Sequence, residues 1–212
     1  LGTYPQKQIR AYTDLYDDAV KLMKSEDLKA FDLSKEPQDL RDMYGDNNFG
    51  QGCLLARRLV ESGVRYAEVQ LGGWDMHNDV FGSLESKAGI LDSGVSSLIH
   101  DLNRRGMLSD TLVVLASEFG RSPEIKAGRV GRDHHPSAFT TLLAGGGVKG
   151  GYVYGESDER GHYAASKGVG MEELNATIAY TMGLDPNKTI FSPGGRPFQV
   201  SHGGQPISDI LS

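Results

Sequence analysis

Apolar residues near the start of the chain recur every three or four positions. Ile9, Tyr12, Leu15, Tyr16, Val20 and Met23 share one stripe, the spacing of an amphipathic helix, and predict one over residues 6–25. Ser34 is a candidate N-cap for a short second helix, with Pro37 in its first turn, where a missing N–H is tolerated. Residues 49–62 read as a further helix that Gly63 ends from the position just past it.

The period then changes. Residues 64–71 are β-branched and aromatic and predict a strand. Residues 80–105 return to helical spacing through Leu84, Ala88, Leu91, Val95, Leu98 and Leu102. The run 111–116 is short and apolar throughout, which predicts a buried strand. Strand, long helix and strand in that order make a βαβ unit, whose crossover implies a parallel sheet and hence the α/β class. Residues 138–144 give a third strand, 152–154 a short edge piece, 171–182 a helix with Gly183 beyond its end, and 197–200 an extended stretch. One α/β domain over residues 1–212 is expected.

The chain carries 28 glycines in 212 residues, about twice the usual share of roughly 7%, so many turns are expected. A formal charge of −6 argues against nucleic acid or anionic lipid as partners. No apolar run approaches the ~20 residues that cross a bilayer, so no membrane span is expected. Cys53 is the single cysteine, which rules out an internal disulfide and reads as a core thiol. The chain opens at Leu1 without a basic, apolar leader, the pattern of a processed or truncated product.

Loops at the carboxyl ends of parallel strands are where open α/β sheets bind ligands, and two predicted loops there carry metal-ligating residue types. Asp75 and His77 stand two apart in Gly72-Gly73-Trp74-Asp75-Met76-His77. Glu118 leaves an apolar strand in Ser117-Glu118-Phe119-Gly120-Arg121, where burial needs a cation or donor. Asp133, His134 and His135 follow in a third cluster, between Gly131 and Pro136. Taken singly, each has a plainer reading: a capping aspartate beside a surface histidine, a Glu118–Arg121 ion pair, or exposed histidines. Three such clusters at predicted strand edges favour a shared cation. Arg121 and Arg132 flank the acids and either neutralise them or bind an anionic group. Gly145-x-Gly147-x-x-Gly150 matches the dinucleotide fingerprint in letters but leads into Tyr152-Val153-Tyr154 rather than a helix, so it reads as a glycine turn. His100, His162 and His202 read as structural or solvated.

Segments 30–37, 53–64, 72–77, 117–123, 131–134 and 144–150 together resemble the family labelled domain of unknown function 1501, taken as a sulfatase-like branch of the alkaline phosphatase superfamily. The resemblance implies a three-layer α/β/α, alkaline-phosphatase-like fold with a parallel sheet. It implies a one- or two-metal centre in which Asp75 and His77 fill one role, Glu118 a second, and His134 a third with Asp133 beside it. The implied cofactor is a divalent metal, zinc first and calcium or manganese as alternatives. The implied substrate is a small anionic phosphate or sulfate ester oriented by Arg121. Two positions depart from the superfamily pattern: Glu118-Phe119 stands where relatives have Asp-His, and Asn175 stands where relatives have histidine. Superfamily hydrolases carry their nucleophile on a segment ahead of everything seen here, so residues 1–212 are expected to be the C-terminal part of a longer domain. The alternative is a non-catalytic metal-binding or interaction module. An extracytoplasmic location follows by resemblance alone.

Overall fold

The computed structural model describes residues 6–23 and 25–212. It divides into two compact units, one holding residues up to Leu71 with Gly89–Leu98, the other Gly72–Ala88 with Ile99–Ser212.

The first unit is helical. Helix α1 (Gln6–Met23) forms as its stripe predicts, but Tyr12, Leu15, Tyr16, Val20 and Met23 on that stripe are all exposed; the side chain of Ile9 and residue 24 lie outside the described residues. Two short 3-10 turns, Glu26–Phe31 and Leu33–Lys35, lead to α2 (Gln38–Tyr44). Ser34 does not cap a helix: its backbone N–H donates to the Asp32 carboxylate in the second of these turns, and Pro37 stands at the N-cap position of α2.

Asn47 caps α3 (Asn48–Glu61) by accepting from the Gly50 N–H at 2.9 Å. That is the side-chain bond an N-terminus needs for its orphan donors. Leu40 and Tyr44 of α2 interlock with Phe49, Cys53 and Leu54 of α3, all buried, and Val69, Leu71, Ile90, Leu91, Val95 and Leu98 pack around them. Burial pushes the Cys53 thiol up to about 11, so it stays protonated and behaves as a small apolar group.

An ion network centred on the buried Arg57 and Glu36 closes this unit. Arg57, 1% exposed, reaches Glu36 at 2.8 Å and Glu61 at 2.5 Å, while Arg58 reaches the same Glu36 oxygen at 2.5 Å. Burial opposes ionisation of Glu36, yet the hydrogen bonds from Arg57 and Arg58 outweigh it and hold the carboxyl below the usual glutamate range.

The second unit carries all the strands among the described residues, together with the first nine residues and the C-terminal end of α4 (Val80–Arg104) and the whole of α5 (Met171–Thr181). Its strands are β1 (Val113–Leu115), β2 (Gly120–Arg121), β3 (His134–His135), β4 (Leu142–Ala144), β5 (Glu156–Ser157), β6 (Ala164–Ser166), β7 (Thr189–Phe191) and β8 (Pro197–Gln199). They pair β1 with β4, β2 with β3, β5 with β6 and β7 with β8, every pair antiparallel.

This overturns the expected parallel-sheet, three-layer α/β/α fold of the alkaline-phosphatase type. The βαβ inference fails at its first strand. Residues 64–71 join no ladder; Val69 and Leu71 give their side chains to the helical core while Val64 and Tyr66 remain exposed. With no strand ahead of α4 among the described residues there is no crossover. β1 pairs instead with β4, Val114 opposite Leu143. Residues 152–154 form no strand, and Gly145, Gly146 and Gly147 all take positive φ in a turn that no helix follows.

On α5, Leu174, Ala176, Thr177 and Ala179 are buried, and the Thr177 hydroxyl donates to Glu173 O while accepting from Ile207 N. Asp101 near the end of α4 is fully buried and meets Arg105 at 2.9 Å. No described helix is long and apolar enough to cross a membrane.

Glu36→Gln is expected to cost on the order of 3 kcal/mol in urea unfolding at pH 7, because it leaves the buried Arg57 charge short of one partner. The wild-type contribution is present above the ordinary glutamate value of 4.5 and is lost as pH falls through the lowered folded value. Denaturation curves from pH 7 to 3 should therefore converge for wild type and variant on acidification.

Candidate metal centre

The site is assembled by backbone. Residues 72–79 form the loop into α4, and Asp79 turns the chain with φ +43°. Three main-chain hydrogen bonds join this loop to residues 129–132: Asp79 N to Arg129 O, Val80 N to Val130 O, and Arg132 N to Met76 O. A Cβ on Gly131, which is buried, would lie 1.9 Å from the His77 carbonyl oxygen, so only glycine lets the two chains come this close. The β2–β3 ladder supplies the third segment, setting Arg121 opposite His134, and Ser122 N extends it by donating to Asp133 O.

One carboxylate oxygen is the focus. Asp75 Oδ1 lies 2.6 Å from Arg121 Nη1, 2.9 Å from His134 Nε2 and 3.0 Å from His77 Nε2. One ligand atom from each of Asp75, His77 and His134 falls within 4.8 Å of the other two. Hydrogen bonds from His134 and then Arg121 pull the Asp75 carboxyl down to about 2, so it is an anion at any working pH. The imidazoles of His77 and His134 sit 5.1 Å apart, and the Phe119 ring lies 4.6 Å from that of His134 and 5.6 Å from the Arg121 guanidinium. The side chain of Asp75 is 61% exposed, that of His134 50% and that of His77 32%, which leaves room for further ligands.

The other expected ligands take different places. Asp133 stands one step out, its Oδ1 3.4 Å from His77 Nδ1 and its Oδ2 3.1 Å from Lys126 Nζ. Lys126 chiefly holds the Asp133 carboxyl below its usual range. Glu118 is 65% exposed, 3.8 Å from Arg121 Nη2, and outside the three-residue set. Arg132 donates to the Ser122 and Pro123 carbonyls, so it supports the loop rather than offering a charge.

His135 points the other way from His134, as strand alternation requires; its Nε2 lies 2.6 Å from the His162 carbonyl. His162 pairs with Glu124, whose carboxyl is drawn down to about 2 by Ser122 and then His162. Asn175 lies on α5. Sequence reasoning missed Lys126, whose approach to Asp133 depends on the 126–131 turn closing through Lys126 N to Gly131 O. Gly131 was legible only as a glycine beside a carboxylate–imidazole pair.

Two imidazoles and one carboxylate, with space beside them, are a donor set that catalytic zinc accepts. A loop-borne, half-exposed carboxylate–histidine centre is the class of site that this geometry defines. The chain belongs to the DUF1501 family, a protein family of unknown function whose model matches residues 3–211. Comparison with curated proteins and with solved structures finds no match.

Gly131→Ala is expected to destabilise the chain by about 1–3 kcal/mol through overpacking. Gly89→Ala, at a helical position with nothing within 4 Å of the new carbon, should be neutral or gain up to about 1 kcal/mol. Urea unfolding of the two variants checks this.

Proposed function

We propose that the chain is a metal-dependent hydrolase of phosphate or sulfate esters. The cation would be held by Asp75, His77 and His134, with zinc the first choice and calcium or manganese the alternatives. The single observation that carries this reading is the convergence of the three ligand atoms within 4.8 Å. A cation there supplies Lewis acidity toward an ester oxygen and an acidified water.

The chain's own groups do the rest. Asp75 brings a permanent negative charge, because its carboxyl titrates far below neutrality. Arg121 presents a planar guanidinium beside it, suited to the oxygens of a phosphate or sulfate group. Phe119 lies against both Arg121 and His134. A relation to sulfatase-like hydrolases rests on the resemblance of the segments around Asp75, Glu118 and His134.

A second reading, a metal-binding module without turnover, has one observation in its favour. Among the described residues, no hydroxyl or thiol is hydrogen-bonded to Asp75, His77 or His134.

Assays with aryl phosphate and aryl sulfate esters, run with zinc, manganese and calcium, separate these readings. The hydrolase reading expects metal-dependent turnover that falls at least about a hundredfold in Asp75→Ala and His134→Ala. Arg121→Gln should mainly raise KM. Tight metal binding without turnover favours the second reading, and neither binding nor turnover sinks both.

A further inference from the structure

We propose that Asp133 positions His77 rather than binding the cation, and that Lys126 holds Asp133 in place for that task. This rests on the metal reading above. The His77 ring stands between two carboxylates: Nε2 is 3.0 Å from Asp75 Oδ1, and Nδ1 is 3.4 Å from Asp133 Oδ1. A neutral imidazole has one donor and one acceptor nitrogen. With the Nδ1 proton aimed at Asp133, the Nε2 lone pair is left facing Asp75 and His134, where a cation would sit. Histidine ligands are commonly oriented in this way, through a carboxylate on the far ring nitrogen.

The other oxygen of Asp133 is also committed. Oδ2 meets Lys126 Nζ at 3.1 Å, and Arg129 Nη2 lies 4.0 Å from Oδ1. Both oxygens thus already have partners, Oδ1 the far nitrogen of His77 and the Arg129 guanidinium, Oδ2 the Lys126 ammonium. The backbone fixes the arrangement as well, since Ser122 N donates to Asp133 O and the 126–131 turn is closed by Lys126 N to Gly131 O. Consecutive residues Asp133 and His134 then serve the site in two ways, one through His77 and one directly.

Zinc competition against a chromophoric chelator and the visible spectrum of the cobalt(II) form test this on the purified chain. Asp133→Asn is expected to weaken zinc binding by about 10–100-fold and to leave the cobalt band position and intensity unchanged, because the ligands are unchanged. Lys126→Met should weaken binding by a smaller factor, and the double variant should bind no more weakly than Asp133→Asn alone. Asp75→Asn, which alters a ligand, should change the cobalt spectrum. Wild-type zinc affinity in Asp133→Asn, or a cobalt spectrum shifted as in Asp75→Asn, overturns the proposal while leaving the metal reading standing. A wild-type chain that binds neither metal overturns both. Should Asp133→Asn fail to fold, wild-type affinity in Lys126→Met overturns the relay.

Discussion

The main-chain contact between residues 76–80 and 129–132 is the constraint on which the site depends. Asp75 and His77 reach His134 only because Arg132, Asp79 and Val80 exchange backbone hydrogen bonds across that seam. Side chains alone could not hold them, since each ligand is partly exposed and surface ion pairs are worth little in water. The rigidity comes from paired peptide groups and from a glycine whose missing side chain lets two loops touch. The site is therefore built by antiparallel and loop pairing rather than at the mouth of a parallel sheet.

Charge explains why such a cluster persists. Asp75 gathers a guanidinium and two imidazoles on one oxygen, and Asp133 gathers Lys126, Arg129 and the far side of His77. Each carboxylate is stabilised as an anion by its neighbours, and together they bracket the His77 ring. The first unit solves a different problem with similar groups. Its Glu36–Arg57–Glu61 network is structural and centres on the buried Arg57 and Glu36, with Arg58 tying Glu36 to the backbone carbonyls of Lys29 and Ala30.

Local pattern revealed the helices well. In α3, α4 and α5 the repeating apolar positions include residues packed in the cores, such as Cys53, Leu54, Leu98, Leu102 and Leu174, while Leu84 and Ala88 of the α4 stripe are exposed. The sheet was not legible, because periodicity reports which side chains are buried and not what a backbone pairs with. Residues 64–71 look like a strand because the run is short, β-branched and aromatic, yet Val69 and Leu71 feed a helical core. β7 went unseen, having only three residues, all exposed. Of the site, Asp75, His77 and His134 were readable as ligand types at loop positions. The outer place of Asp133 and its tie to Lys126 were not, because both depend on the closure of one turn. Membership of the DUF1501 family fits the quoted segments, while the fold expected from the wider superfamily does not survive the antiparallel pairing.

The most direct measurement is an anomalous difference map at the zinc edge from crystals of the chain grown with zinc. One strong peak is expected about 2 Å from Nε2 of both His77 and His134 and from a carboxylate oxygen of Asp75. A well-ordered site without that peak, or with zinc bound only elsewhere, would contradict the metal reading.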